Sequence, residues 1–422
     1  MKSLLRGIVV SILTSLTRGI LKKYQPKIVM VTGSVGKTST KDAIAAALSG
    51  SIYLRKSEKS YNSEFGLPLT VMGAKTAWGS ASGWLSIIFE GIALLVFPSH
   101  YPKLLVLEVG ADKPKDLKKL LRIATPDVVV VTRLPEVPVH VEAYEGPSQV
   151  REEEFAPACA LSEGAPLILS SEDVYAQKMA ATSRAAVTTY GYAKDADVSI
   201  HGAHFTGTGM YATLHLEGTT CDVSAPGVIG EQHLYAPAAA VAVARALDLP
   251  LKDILLSLAE YEPPPGRSRV LEGKHHSILI DDTYNSSPAA VEEALKSLSL
   301  IPDRRKVVIL GDMLELGRYS NEEHERMGVL AAQYADLLIT VGHRAQMIAT
   351  AFLNAGREEG TVEGFENSTL AAQAIPQSIK EGDVVLLKGS QGMRMERITE
   401  ALLAHPEDVR KLPRQDAEWK RR

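Results

Sequence analysis

A glycine-rich loop that carries a lysine and a threonine follows the first hydrophobic run of the chain. It reads Val31-Thr-Gly-Ser-Val-Gly-Lys-Thr-Ser-Thr40 and precedes a helical pattern over Lys41–Leu48. Glycines let backbone amides approach phosphate oxygens, and the N-terminus of a helix favours anions. A lysine adds positive charge, and a threonine offers a hydroxyl group to magnesium. Although Thr32 replaces the first glycine of the general pattern, we expect phosphate binding by Gly33, Ser34, Gly36, Lys37, Thr38 and Ser39 rather than a plain glycine turn.

Two further features follow later strand-like runs. One is Leu107-Glu-Val-Gly-Ala111, and the other is a loop that runs from Thr132 to His140-Val-Glu142. In doubly wound sheets the ligand lies beyond the carboxyl ends of the strands, so Glu108 and His140 could converge on the phosphates and share metal ions. The alternative is a solvated glutamate and a histidine of the surface or core, since perturbed groups also occur outside functional sites.

Short β-branched runs alternate with helical patterns along most of the chain. This alternation predicts an α/β fold with parallel sheets wrapped by helices. The predicted strands are Lys27–Thr32, Leu104–Glu108, Asp127–Thr132, Ser277–Asp282, Lys306–Leu310, Leu337–Val341 and Asp383–Leu387. Between the two series, Val187–Val228 is rich in threonine and glycine, which predicts hairpins and a small β subdomain.

The segment Tyr261–Gly266 contains three successive prolines and cannot be helical. We expect a domain boundary there, with one α/β domain over residues 26–264 and a second over residues 265–404. Residues 405–422 are charged and are expected to form a solvated tail. The chain of 422 residues, 45% hydrophobic with a net charge of -4, is typical of a folded protein of two or three domains and does not favour nucleic-acid binding. Two isolated cysteines favour a reducing cytoplasm.

The first 23 residues predict a basic amphipathic helix. Apolar side chains recur at helical spacing, and the basic residues are Lys2, Arg6, Arg18, Lys22 and Lys23. The stretch is too polar for a transmembrane helix and lacks the cleavage site of a signal peptide. It could lie on the inner membrane surface or pack on its own domain. A second apolar stretch, Trp84–Phe97, leaves the same two possibilities open.

Six ordered motifs together resemble the Mur ligases of peptidoglycan synthesis. They are the phosphate loop, Tyr61-Asn-Ser-Glu-Phe-Gly-Leu-Pro68, Leu107–Ala111, Gly266-Arg with Asp281-Asp-Thr-Tyr-Asn-Ser-Ser-Pro288, Leu310–Gly317 and Leu387-Lys-Gly-Ser390. The resemblance covers roughly residues 28 to 400. It implies an ATP-dependent ligase that activates a carboxylate as an acyl phosphate and joins it to D-alanyl-D-alanine or a similar amine on a peptidoglycan precursor. It also implies a P-loop central domain and a C-terminal Rossmann-like domain.

The family motifs imply a role for each matching residue. Lys37 and Thr38 would hold the phosphates of ATP and a magnesium ion, and Glu108 and His140 would complete the magnesium sites. Arg267 would reach ATP from the interdomain hinge. The remaining matches are nucleotide-facing Asp281 or Asp282, Tyr284 and Asn285, then Lys388 and Ser390 near the amine, and Asn62 and Ser63 for substrate.

The sequence departs from the family pattern in four places, one of which is Arg133-Leu-Pro135, where the family usually has Asn-Ile-Gly after the third strand. Where the family has a carbamylated lysine, residues 147–154 contain none, and Glu152 is expected to supply that charge to magnesium, unless it belongs to a solvated acidic helix face. The element Gly230–Ala236 lacks the second asparagine of the family. The family usually opens with a UDP-sugar-binding domain of roughly 80 to 100 residues, whereas the phosphate loop here starts after about thirty residues.

Two alternatives to this function remain open at the level of sequence. One is a related amide ligase that acts on another carboxylate, either lipid-linked or polyglutamylated. The other is a nucleotide-gated binding protein at the membrane surface that has lost ligation. The presence of Lys37, Glu108, His140, Arg267 and Lys388 argues against the second alternative.

Overall fold

The computed structural model of the chain describes residues 2–58, 61–77, 80–416 and 419, which form two sheets. The strands of the first are β1 (Lys27–Thr32), β2 (Leu54–Lys56), β3 (Leu104–Glu108), β4 (Val128–Val131), β5 (Pro166–Ser170), β6 (Ala186–Gly191), β7 (Val198–Phe205), β8 (Gly209–Leu216) and β9 (Thr219–Pro226). Their order is β2-β3-β1-β4-β5-β6-β7-β8-β9. Pairing is parallel from β2 to β7 and antiparallel across β7, β8 and β9.

The second sheet lies in the C-terminal part. Its strands are β10 (Arg269–Gly273), β11 (Ser277–Asp282), β12 (Lys306–Gly311), β13 (Leu337–Val341), β14 (Val362–Phe365) and β15 (Val384–Lys388). The order is β10-β11-β15-β12-β13-β14, and only the edge strand β10 pairs antiparallel among these. Parallel sheets need a covering on both faces, which explains why the central strands β12, β13 and β15 are apolar along most of their length.

Helices cover both sheets. Those before residue 265 are α1 (Lys2–Tyr24), α2 (Lys37–Leu48), α3 (Gly66–Met72), α4 (Ala81–Val96), α5 (Asp116–Leu121), α6 (Pro147–Cys159), α7 (Val174–Ala180), α8 (Tyr235–Ala246) and α9 (Leu251–Leu258). Those after it are α10 (Pro288–Ser297), α11 (Ser320–Ala331), α12 (Gln346–Asn354), α13 (Ser368–Ala374) and α14 (Glu396–Leu402). No helix of the described chain is long and apolar enough to cross a membrane.

Alternation along β1 divides the core of the first sheet into two layers. Val29 and Val31 point into the layer that contains α2 and α8, whereas Ile28 and Met30 point into the layer that contains α1 and α3. Successive side chains of a strand face opposite sides of its sheet, so a strand covered on both faces is apolar at every position. The end of β1 is thereby packed between two apolar layers, and the phosphate loop begins at this well-packed strand end.

The hairpins predicted between Val187 and Val228 are present as β7, β8 and β9. They do not form a sheet of their own, because β7 continues the central sheet through the partners Tyr190↔Val198 and Gly191↔Ser199. The strands β8 and β9 pair along their whole length. The expected β subdomain is therefore an antiparallel extension of the central sheet.

The N-terminal helix packs on its own domain. Leu13, Thr17 and Ile20 of α1 are fully buried, and the apolar stripe that could have faced a membrane covers α3 and α4 instead. Ile8 and Ile12 are exceptions, with exposed fractions of 51% and 37%. The sequence left open whether this stripe contacts a membrane or its own domain, and over most of its length it packs on its own domain.

The end of the chain is docked as far as the structure describes it. Leu412 and Arg414 are buried. The Arg414 guanidinium donates to the carbonyl oxygens of Thr283 and Tyr284 and lies 2.8 Å from a carboxylate oxygen of Glu396. The prediction of a solvated tail is therefore wrong for this stretch, which braces the segment that follows β11.

Candidate active site

The phosphate loop connects the end of β1 to the start of α2. Gly33 and Gly36 have φ values of 115° and 91°, which favour glycine, and a Cβ atom on Gly33 would lie 2.4 Å from the Thr132 hydroxyl oxygen. Gly36 is the N-cap of α2. The Ser34 amide donates to the Arg133 carbonyl oxygen at 2.8 Å, and the Ser34 hydroxyl is buried without a hydrogen-bond partner. A buried hydroxyl at a helix N-terminus suits an anionic ligand.

Thr38, in the first turn of α2, meets Glu108 at the end of β3. The Thr38 hydroxyl donates to Glu108 Oε1 at 3.1 Å. Glu108 is buried, its Oε2 atom has no hydrogen-bond partner, and the Lys41 ammonium lies 3.7 Å from that atom. A buried carboxylate oxygen without a donor is costly unless a cation completes it. Threonine and carboxylate oxygens are suitable ligands for Mg²⁺, so this pair fits the predicted metal.

The Lys37 side chain folds back over its own loop. Its ammonium donates to the Gly33 carbonyl oxygen and lies 3.9 Å from Glu154 Oε1. An ammonium held beside the loop amides is positioned to meet phosphate oxygens when a nucleotide binds there. The contact of Lys37 with phosphate stays a prediction.

The carboxylate near the loop belongs to Glu154 and not to Glu152. Glu152 is exposed on α6, whereas Glu154 is buried, with an exposed fraction of 2%. Glu154 Oε2 accepts from the Thr32 hydroxyl at 2.9 Å and from the Gly33 amide at 3.1 Å. The expectation for Glu152 is corrected accordingly, because one turn of helix is 3.6 residues and the two side chains point to different faces.

Replacing Glu154 with glutamine removes the charge beside the loop at nearly constant shape. We expect the turnover of ATP to fall roughly 10- to 100-fold, which is typical when a residue that supports a metal or its ligands is lost. Glu152→Gln is the matched control and should retain turnover within about twofold, because exposed substitutions away from a site have small effects.

Bicarbonate provides an independent check on the same residue. Residues 147–154 contain no lysine that could be carbamylated. Wild-type turnover should therefore be the same in bicarbonate-free buffer and in buffer with added bicarbonate, measured as phosphate release. Stimulation by bicarbonate, or full activity of Glu154→Gln, would contradict this assignment.

His140 does not join the Thr38–Glu108 pair in this structure. Its Nδ1 atom lies 2.8 Å from a carboxylate oxygen of Glu315 in the C-terminal part, and its Nε2 atom lies 3.6 Å from one of Asp112. Burial opposes the charged imidazole, but the hydrogen bond and charge of Glu315 outweigh it and raise the pKa of His140. Within the described ranges, no group of three or more His, Cys, Asp or Glu side chains is arranged to hold a metal ion. Of the predicted magnesium ligands, Thr38 and Glu108 are thus in contact, whereas His140 is paired with Glu315.

A buried lysine marks the C-terminal half of the site. Lys388 ends β15, and its ammonium donates to Asp282 Oδ2 at 2.7 Å and to the Asn285 carbonyl oxygen at 2.9 Å. Burial lowers the pKa of Lys388, and the charge of Asp282 opposes that effect. Asn285 also accepts a bond from the Gln391 amide at 3.3 Å. Lys388, Asp282 and Asn285 therefore form one connected group at the carboxyl ends of adjacent strands.

Asp281 lies in the core of the C-terminal part. It is fully buried, and its Oδ1 atom accepts from the hydroxyl groups of Thr283 at 2.7 Å and Thr399 at 3.0 Å. Burial raises its pKa to about 6. Of the two aspartates expected to face the nucleotide, Asp281 is thus internal and Asp282 is paired with Lys388. Ser390 is likewise buried and accepts from the Leu314 amide at 2.8 Å, so it positions a loop.

Arg267 lies at the junction of the two sheets. Its guanidinium lies 4.5 Å from the centre of the Tyr284 ring. The pKa of His233, in the element that departs from the family, falls to about 3 because of burial and then of the charges of Arg267 and Lys388. Burial raises the pKa of Tyr261, and the charge of Arg267 opposes that effect. The contact of Arg267 with ATP stays a prediction.

Asn62 and Ser63 line a cleft of about 290 Å³ beside the loop. The Asn62 amide nitrogen would lie 3.3 Å from a Cβ atom on Gly110, and the same Cβ atom would lie 3.3 Å from Lys37 Cε. The cleft opens next to the phosphate site and is polar, which suits a charged substrate. Its other lining residues are Glu64, Asp112, Lys113, Asp116, Lys119 and Leu120.

Sequence reasoning missed Glu154, Lys41 and Glu315. A signal for Glu154 was available, because Val150, Glu154 and Ala158 recur every four residues along α6 and share its buried face. The contact of Glu315 had no local signal, since it depends on how the two sheets approach each other.

Two family models match the chain. The Mur ligase middle domain matches residues 92–244, and the Mur ligase glutamate ligase domain matches residues 266–391. Together they cover well over half of the chain. The UDP-N-acetylmuramoyl-tripeptide–D-alanyl-D-alanine ligase of Bacillus subtilis is 26% identical and is matched over 93% of this chain and 79% of its own length. The Escherichia coli ligase of the same name is 25% identical, over 91% of this chain and 78% of its own length.

Solved structures agree with these matches. The MurF ligase from Thermotoga maritima in complex with ADP has a TM-score of 0.77 at 25% identity and covers 95% of this chain and 84% of its own. Folylpolyglutamate synthase from Mycobacterium tuberculosis complexed with ADP shares the fold, with a TM-score of 0.63 at 15% identity and coverages of 92% and 94%. The chain therefore belongs to the Mur ligase family of ATP-dependent ligases.

Proposed function

We propose that the chain uses ATP to join D-alanyl-D-alanine to the terminal carboxylate of the peptide in a peptidoglycan precursor. Relatives that carry this activity in their names match about nine tenths of the chain. The observation that carries the proposal is the Thr38–Glu108 pair beside a phosphate loop, in which buried Glu108 Oε2 has no hydrogen-bond donor and lies 3.7 Å from the Lys41 ammonium. We place the reaction in the cytoplasm, where ATP is available.

The first half-reaction would occur on the phosphate loop. Lys37 and the amides at the start of α2 would bind the phosphates of ATP and stabilise charge as the terminal phosphoryl group moves to the carboxylate. Mg²⁺, when bound, would neutralise the phosphate charge and would be held by Thr38 and Glu108, with Glu154 adding negative charge nearby. The polar cleft beside Asn62 would hold the peptide carboxylate close to this loop.

The second half-reaction would bring in the C-terminal group. The amine attacks the acyl phosphate, and a tetrahedral oxyanion forms before phosphate leaves. Arg267 and Lys388 provide positive charge on the C-terminal side of the junction, and fixed cations stabilise such an oxyanion best where water is excluded. Asp282 and Asn285 would hold the Lys388 ammonium in place for this task.

Phosphate release tests this proposal directly. Release should require ATP, the UDP-linked muramoyl tripeptide and D-alanyl-D-alanine together, and mass spectrometry should find a product equal in mass to both substrates less one water. Release without either substrate, or with no new product, would refute ligation.

A folate-type polyglutamyl substrate is the second candidate, because folylpolyglutamate synthase covers nearly the whole fold. Its identity of 15% supports the fold alone, and the relatives with higher identity carry the peptidoglycan name. Including a folate and glutamate pair as a parallel assay separates the two. The alternative of a binding protein without ligation is not favoured by relatives named as ligases.

A further inference from the structure

An exposed apolar surface lies on α4 and the neighbouring part of α1. Leu85, Phe89, Ile92 and Val96 recur at helical spacing on α4 with exposed fractions of 57%, 68%, 42% and 65%, and Phe97 follows at 64%. Six of the thirteen exposed large hydrophobic side chains of the described residues belong to these two helices, and Phe97 directly follows α4. Single exposed apolar residues are ordinary, whereas a contiguous stripe marks a contact surface. We call Ile8, Ile12, Leu85, Phe89, Ile92, Val96 and Phe97 the α1–α4 face.

The two helices hold this face rigidly. A Cβ atom on Gly91 would lie 3.0 Å from Leu16 Cδ1, and one on Gly19 would lie 3.0 Å from Leu95 Cδ2, so the helices run side by side in close contact. The Lys23 ammonium donates to the carbonyl oxygens of Leu94, Leu95 and Phe97 and thereby completes the end of α4. Ile8 and Ile12 continue the line of Leu16 along α1 and so border α4.

Charge around the face is mainly positive, with the exposed Glu90 of α4 as the acidic exception. No acidic residue precedes Asp42 in the sequence, and α4 contains only Glu90, although the whole chain has a net charge of -4. Arg18 and Lys22 are exposed on α1. An apolar stripe on a helix pair that carries exposed lysine and arginine side chains matches the boundary of an anionic bilayer, which accepts the apolar side chains and attracts the cations.

We propose that the α1–α4 face docks on the surface of an anionic phospholipid bilayer. A second copy of the chain fits this face less well, because a twofold contact would place the cations of both copies around one apolar patch. Phe65 and Trp84 contact each other, with ring centres 5.8 Å apart, so docking would hold the cleft at Asn62 close to the bilayer. Docking on a bilayer is a property separate from the proposed ligation and does not depend on it.

Co-sedimentation with vesicles tests the proposal. Full-length protein should pellet with vesicles of phosphatidylglycerol and phosphatidylcholine and should be released as salt rises from roughly 0.05 to 0.5 M. The variant Phe89→Asp/Val96→Asp should bind the vesicles at least about tenfold more weakly than the wild type, because both side chains would lie in the apolar layer of the bilayer. Leu256→Asp is the matched control, since Leu256 is 66% exposed on α9 and should leave binding unchanged.

Thermal melting and phosphate release keep the result interpretable. Phe89 and Val96 are both exposed. The double variant should therefore keep the melting temperature of the wild type and its rate of ligation with soluble substrates. The proposal is overturned if wild-type protein stays in the supernatant at low salt, or if it binds pure phosphatidylcholine equally well without salt dependence. It is also overturned if sedimentation velocity shows a wild-type dimer that Phe89→Asp/Val96→Asp dissociates, because the occupant would then be a second copy.

Discussion

Replacing Lys37 with alanine should lower ATP turnover by roughly two to four orders of magnitude. The ammonium lies beside the loop carbonyl of Gly33, and the substitution removes the cation that would face the terminal phosphates. The fold should persist, because the side chain is partly exposed and α2 keeps its glycine N-cap. Phosphate release in the presence of both substrates measures turnover, and a thermal melt checks the fold.

Lys252→Ala provides the matched control for that experiment. Lys252 is exposed on α9, so its replacement by alanine removes the same charge from the protein without changing the phosphate loop. Its turnover should equal that of the wild type. Near-normal turnover in Lys37→Ala, with the product still formed, would remove the phosphate loop from the mechanism.

Replacing Lys388 with methionine should destabilise the C-terminal domain by about 3–5 kcal/mol and abolish ligation, because Asp282 is left as a buried charge without its partner. Removing one member of a buried pair costs far more than the pair contributes. Urea denaturation followed by tryptophan fluorescence and circular dichroism measures the loss of stability, and phosphate release measures the loss of activity.

The double variant Lys388→Met/Asp282→Asn separates the two roles of the lysine. Removing the second charge should restore much of the stability, since a neutral amide is easier to bury than a carboxylate. Ligation should not return, because the cation at the junction is still missing. Recovery of activity together with stability would mean that Lys388 acts only by holding the fold.

Features that depend on short stretches of sequence could be predicted well. The phosphate loop is one, because the strand, the glycines and the start of α2 are adjacent in the chain. The strand starts and ends at Lys27–Thr32, Leu104–Glu108, Ser277–Asp282 and Leu337–Val341 coincide with β1, β3, β11 and β13, since apolar runs between turns define them.

Features that depend on contacts between distant parts of the chain could not be predicted from the sequence. His140 is paired with Glu315, a contact that forms only when the two sheets approach each other. Charge alone suggested a solvated tail, yet Arg414 finds Glu396 and two backbone carbonyls, and buried charges need such partners. The choice of Glu152 instead of Glu154 is a different kind of error. It relied on the distance along the sequence and did not consider which face of α6 each side chain occupies.

The narrow junction between β6 and β7 has a consequence for how the protein opens. Two residues of each strand join the antiparallel extension to the parallel part, whereas β8 and β9 are paired throughout. Local opening follows the regions with the fewest backbone hydrogen bonds to break, and segments joined in this way exchange their amide hydrogens as a unit. The amides of β7, β8 and β9 would then share one exchange free energy, distinct from that of β1, β3 and β4 beneath the phosphate loop. The nucleotide-binding core would keep its structure while the extension opens.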